Sequence, residues 1–194
     1  ANLSIINMFR YSQYLSQAES AKAADLLSPL YTRTAAMNTF ANYELREQAL
    51  QQATTINSIT ASSSSTPEYR TSLNNLKQNF VEAALNDNIA YINKDPNDLR
   101  AKSLLTLYYA NLNDTANALK YAEAAYELSP LKQSSALPYA QLLMYTGELS
   151  NIVKANSILK SLYDADPTYD SVEKAYKQSQ TLITAKSATT TTAT

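Results

Sequence analysis

Three pairs of carboxylates lie close enough in sequence to suggest acid–base chemistry: Asp164 with Asp166, Glu44 with Glu47, and Asp95 with Asp98. A glycoside hydrolase needs two such groups facing one cleft, one to protonate the leaving oxygen and one to attack or to activate water. These pairs instead sit beside turns or along exposed helical stretches, where carboxylates cap helices or carry solvated charge. Glu19/Lys22 and Glu173/Lys177 have the spacing of ordinary helix-face pairs. The chain has no histidine and no cysteine. That argues against zinc and iron–sulfur sites, thiol nucleophiles and any imidazole relay. A single glycine, Gly147, argues against the glycine-rich loops that cradle phosphates. The expectation is a chain with no catalytic, cofactor-binding or metal-binding residue. Fifteen tyrosines remain as candidates for carbohydrate or peptide contact. Tyr108, Tyr109, Tyr121 and Tyr126 have helical spacing, however, and Tyr109 and Tyr126 are expected in the core.

The elements that carry these residues are expected to be helices. One glycine in 194 residues cannot supply the positive-φ turns of hairpin-rich β folds, and alanine, leucine, glutamine, lysine and glutamate favour helix. The fold class is all-α. Net charge is −1 with no basic run, which argues against an electrostatic nucleic-acid surface. No apolar stretch reaches membrane-spanning length; "LLTLYYANL" at 104–112 is too short and too polar. The lack of cysteine and the wealth of Ser, Thr, Asn and Tyr fit an exported bacterial protein. The start at Ala1 fits a processed form or a piece of a larger protein.

Along the chain, Leu3–Leu27 has helical periodicity, and Ser28 with Pro29 can open a further helix. Asn42 can cap a helix from Tyr43 to about Ile56. These form an N-terminal helical region, 1–57. A Ser/Thr-rich loop follows at 58–66, read as a linker, with glycosylation of such a tract as the alternative. Thr66 and Pro67 then start a helical stretch to about Asn93, with Leu73, Leu76, Phe80, Ala84, Leu85 and Ile89 on its apolar face. It is either continuous or broken near Asn86–Asn88. Helical repeats with a C-terminal capping helix, Ser171 to about Ala185, fill 67–186. The tail 187–194 is low-complexity and expected to be disordered.

Prolines at 96, 130 and 167 recur at spacings near 35 residues, the period of a helical solenoid. In 99–130, Leu105, Tyr109 and Leu112 form the stripe of a first helix. "NDT" at 113–115 breaks it, with Asp114 or Thr115 as cap. A second helix from about Ala116 to Leu128 places Ala118, Ala122 and Ala125 on one face, and Ser129–Pro130 ends it. These residues resemble the tetratricopeptide repeat (TPR), which pairs two antiparallel helices. Leu105, Thr106, Tyr109, Ala118, Ala125 and Pro130 occupy its signature positions. Lys102, Asn113 and Ala122 depart from it, standing where the family has a tryptophan-like residue, the turn glycine and an aromatic. A looser unit spans 133–167, with Ala136, Tyr139, Ala140 and Leu143 in its first helix. Gly147 lies at its turn, and Ala155, Leu159 and Leu162 fall in its second helix.

Three segments, "NTFANYELREQALQQ" at 38–52, "KDPND" at 94–98 and "YAEAAYELSPLKQ" at 121–133, resemble the C-terminal extracytoplasmic region of bacterial O-antigen ligase-family membrane proteins. The resemblance implies a TPR-like helical hairpin solenoid, with the N-terminal helices packed on it, as the non-catalytic part of a polysaccharide ligase-like protein. Any ligase chemistry would lie outside this chain. It implies a periplasmic or cell-surface location, a protein or peptide partner or self-association, and no nucleic acid. In the repeat family the first helix of each pair lines a concave groove. By position this presents Arg100, Ser103, Leu107 and Asn111, then Gln141 and Tyr145, then Lys174 and Gln178; the plain alternative is a solvated face. A secreted structural subunit of a surface or filament assembly is the alternative function.

Overall fold

The computed structural model describes residues 29–36, 42–59 and 64–191. All regular structure among them is helical, as the composition demands. The amphipathic stretch Leu3–Leu27 and its following cap, Ser28, lie outside the described residues, as do residues 60–63 of the Ser/Thr-rich loop. The chain divides into two compact units at Leu112/Asn113.

The first unit holds α1 (29–36), α2 (Asn42–Ser58), α3 (Pro67–Leu76), α4 (Glu82–Lys94) and α5 (Leu99–Asn111). Thr66 caps α3, its hydroxyl accepting from Tyr69 N at 3.2 Å, and Pro67 takes the first helical position. There is no break at Asn86–Asn88. Instead α3 and α4 form one rod joined by a π turn, Lys77–Val81. The extra residue of that turn shifts the buried stripe. Phe80 and Val81, neighbours in sequence, are both buried, and the stripe continues through Ala84, Asn88 and Ile92. Leu85 and Ile89, expected on that face, are only half-buried.

Two side-chain ties set the direction of α2 against the rod. Lys77 Nζ donates to the carbonyls of Asn57 and Ile59 at 3.3 and 2.7 Å, and Asn88 Nδ2 donates to the Arg46 carbonyl at 3.2 Å. One end of α2 therefore meets the middle of the rod and its other end meets α4, so the two run antiparallel. Asn88 is buried and spends its second N–H on the Ala84 carbonyl at 2.8 Å, so burying its amide leaves no donor orphaned. Against α5 the order is parallel: Asn57 Nδ2 donates to the Tyr108 hydroxyl at 2.8 Å, and Glu47 binds Arg100. On α5 the buried stripe is Ala101, Leu105 and Tyr108. Tyr109, one position round the helix, is half-buried, with its ring edge-on to Tyr108 at 5.3 Å. The core tyrosine is thus Tyr108, because the α2 contact selects the i, i+4, i+7 line through Ala101. Leu112 falls past the helix end and is exposed.

The second unit holds α6 (Thr115–Leu128), α7 (Gln133–Tyr145), α8 (Leu149–Ala165) and α9 (Asp170–Thr191). Asp114 caps α6, accepting from Asn117 N at 3.1 Å. The two turns that need left-handed backbone are Asn113 (φ 57) and Gly147 (φ 72). Ala118, Ala122 and Ala125 are all buried. Ala122 joins Ala136, Tyr139, Ala140, Leu143, Ala155, Leu159 and Leu162 in one core. Tyr126 lies at its edge, half-buried, against the buried Tyr139 at 5.3 Å between centroids. Tyr121, not Tyr126, is the tyrosine that α6 buries.

Consecutive helices of this unit are antiparallel, so alternate ones run parallel and touch. Lys154 of α8 reaches Glu123 of α6, and Gln133 of α7 donates to Ser171 of α9 at 3.1 Å. The buried Ser179 has one proton for two apparent acceptors, Tyr176 O at 2.7 Å and Asn156 Oδ1 at 2.9 Å. The hydroxyl satisfies the carbonyl, and the Asn156 amide turned over donates to it. α9 continues through residues 187–191, where the low-complexity sequence suggests disorder. Extending a helix costs far less than starting one, and Ala, Ser and Thr permit it. No helix among the described residues is long and apolar enough to cross a membrane.

Candidate functional site

The eight residues expected on a groove divide between the units. On α5, Leu107 and Asn111 are exposed, whereas Ser103 is half-buried and spends its hydroxyl on the Leu99 carbonyl at 2.9 Å. Arg100 is exposed but committed, its guanidinium gripping both oxygens of Glu47. In the second unit Gln141 and Tyr145 on α7, and Lys174 and Gln178 on α9, are all exposed. Ser134, Pro138, Gln141 and Tyr145 follow helical spacing along α7, and Lys174, Gln178, Thr181 and Ala185 repeat it along the parallel α9. Tyr145 is 69% exposed, a large apolar ring held in water. α7 carries no charged side chain, and beyond Glu173 α9 carries no carboxylate. The exposed side chains Gln141, Tyr145, Lys174 and Gln178 offer amides, a phenol ring and an ammonium, groups that bind by hydrogen bond and stacking.

At least one member of each acidic pair has a structural partner, Glu47 through Arg100. Asp164 binds Lys160 one turn back, and Asp166 accepts from the Thr168 amide and hydroxyl, which holds its pKa below the ordinary range. Asp98 caps α5 through Ala101 N at 2.9 Å and accepts from Tyr91 Oη at 3.0 Å. Desolvation, then that bond, pushes the Tyr91 phenol up to about 12. Among the described residues no group of acidic side chains is arranged to hold a metal ion.

Two clusters have no local signature in the sequence. In the second unit the Tyr139 hydroxyl donates to Glu123 at 2.5 Å and accepts from Lys154 Nζ at 2.7 Å, while Lys154 also binds Glu123 at 2.9 Å. Lys154 Nζ is 5.1 Å from the ring centroid. With the hydroxyl so near, it stands beyond the ring's rim, not over its face. Burial, then the bond to Glu123, raises the Tyr139 pKa; the bonds from Tyr139 and Lys154 lower that of Glu123. A phenol held protonated is a poor base. The cluster instead ties three successive helices together.

In the first unit Arg46 lies 4.5 Å from the Tyr91 centroid, and Tyr43 meets the same ring edge-on at 6.1 Å. With Glu47, Asn88 and Leu104 they line a cleft of about 10 Å³, room for one water molecule. It is too small for a substrate, and its charged side chains face partners outside it, Arg46 beside Asp87 and Glu47 on Arg100. The chain matches no protein-family model, and comparison with the curated proteins and with the solved structures likewise found no match.

Proposed function

We propose that the chain is a non-catalytic, TPR-like scaffold that binds an extended protein segment on the layer formed by α7 and α9. The observation that carries this reading is the side-by-side parallel run of those helices. That run, with Gln141, Tyr145, Lys174 and Gln178 all exposed, supports reading them as one solvent-facing layer. Further support comes from the buried alanine line of α6 and from the positive-φ residues at both places where the repeat turns. Acidic side chains engaged in caps and pairs fit a chain without its own chemistry. In the proposed setting the scaffold is the extracytoplasmic part of a bacterial polysaccharide ligase-like protein, which rests on the sequence resemblance. The solvent side of α9 carries Lys174, Lys177, Gln178, Thr181 and Thr184. A polar last helix suits a capped stack better than copies piled end to end in a filament.

Selection of a random peptide library on the intact chain tests the binding reading. Peptides enriched on the wild type should be lost by a Tyr145→Ala, Lys174→Glu variant that unfolds at the wild-type temperature. Equal recovery on both proteins removes this layer as the binding surface. Membrane spans encoded upstream of Ala1 would support the ligase-like setting, and a bare signal peptide would contradict it.

A further inference from the structure

The α6–α7 loop and the α8–α9 loop lie at one end of the second unit, because α7 and α9 run parallel and Gln133 donates to Ser171 across their first turns. Both loops are fixed by their own bonds. Lys132 N donates to the Ser129 carbonyl at 3.1 Å and closes a β-turn with Leu131 near its tip. In the other loop Asp166 accepts from the amide and the hydroxyl of Thr168 at 3.0 and 2.6 Å, an Asx turn that leads into Tyr169.

These two rigid loops hold large apolar side chains in water. Leu131 is 71% exposed and Tyr169 is 49% exposed, and Leu128, at the close of α6, is exposed beside them in sequence. A single exposed leucine is ordinary, but here such residues gather at one end of the unit. Each apolar residue is followed by an opposite charge, Lys132 after Leu131 and Asp170 after Tyr169. Both charges are exposed, and neither joins an ion pair among the described residues.

We propose that this end is where two copies of the chain meet across a two-fold axis. Leu131 of each copy packs on Tyr169 of the other, and Lys132 of each faces Asp170 of the other. A two-fold contact needs one surface that is complementary to itself, and an apolar–cation half beside an apolar–anion half meets that condition. Both halves lie at the same end, so the axis uses both and assembly closes at a pair. The patch is small, so the pair is weak and reversible, and the fixed loops lower the cost of ordering it. This contact does not rest on the peptide-binding layer.

Sedimentation equilibrium on the full chain tests this. Wild type should pass from monomer to dimer, and no further, as concentration rises to about 1 mM. Lys132→Asp alone and Asp170→Lys alone each set like charges together at both contacts, and each should weaken association about tenfold. An equimolar mixture of these two variants restores opposite charges at both contacts, so it should pair within about twofold of wild type. Leu131→Ser should weaken association to a similar degree at an unchanged melting temperature, since the side chain supports no core. A wild type that stays monomeric throughout overturns the proposal and leaves this end to a different protein. Open-ended oligomers, or a mixture that pairs no better than either variant alone, overturn it as well.

Discussion

Replacing Tyr139 by phenylalanine removes one oxygen from the junction of α6, α7 and α8 and leaves the buried ring in place. Two bonds disappear, one to the Glu123 carboxylate and one from the Lys154 ammonium. A hydrogen bond to a charged group contributes about 1.5–3 kcal/mol when its partner is left dry. Here Glu123 and Lys154 keep their own contact at 2.9 Å, and their side chains are 48% and 51% exposed. Water can therefore replace most of what the hydroxyl supplied. The apolar ring, 2% exposed, keeps its burial. The expected loss is about 1–2 kcal/mol, well below the 3–5 kcal/mol typical of truncating a buried aromatic to alanine. Urea unfolding of wild type, Tyr139→Phe, Lys154→Met and the double variant measures it. The cycle should show coupling of about 0.5–1 kcal/mol between the two positions. A Tyr139→Phe variant as stable as wild type, with no coupling to Lys154, would refute the idea that this cluster ties successive helices.

Gly147→Ala adds a methyl group whose nearest neighbour is Lys186 Nζ at 3.9 Å, so space is not the obstacle. The backbone at φ 72 is, and thermal unfolding should show a loss of roughly 1 kcal/mol. Asn113→Gly relieves the same strain at φ 57 and should be neutral or slightly stabilising in the same assay, whereas Asn113→Ala should destabilise. Because its bonds hold the Glu123 pKa below the ordinary range, the stability Glu123 contributes is present above about pH 4.3 and is lost as pH falls through the lowered value. Melting temperature against pH should therefore fall on the acid side, with a shallower limb in Glu123→Gln.

The helical class was legible because composition alone restricts the backbone: a single glycine, at 147, cannot furnish many reversing turns. Caps were legible where one short-range bond decides them, as at Thr66 and Asp114. The alanine line of α6 was legible because small residues at fixed spacing have few other uses. What escaped is set by partners distant in sequence. Tyr108 displaces Tyr109 from the core because α2 packs on that line of α5, and Asn57, which bonds Tyr108, lies 51 residues upstream. The π turn leaves no local mark in "KQNFV"; it lets Phe80 and Val81 both enter the core. Arg100 looked available for a ligand, yet Glu47, 53 residues away, holds it. Glu123, Tyr139 and Lys154 sit on three different helices, and only their packing brings them together.

The parallel run of α7 and α9 creates the proposed binding layer, and a cysteine-free chain makes it directly measurable with paired spin labels. Labels at Gln141→Cys and Gln178→Cys should stand close, with backbones about 10–12 Å apart from neighbouring-helix spacing and a small axial offset. Labels at Ser134→Cys and Ala185→Cys should stand much farther apart, roughly 20 Å, because they occupy opposite ends of parallel helices. A shorter distance for the second pair than for the first would mean that the helices are not aligned in this way, and the layer would not exist.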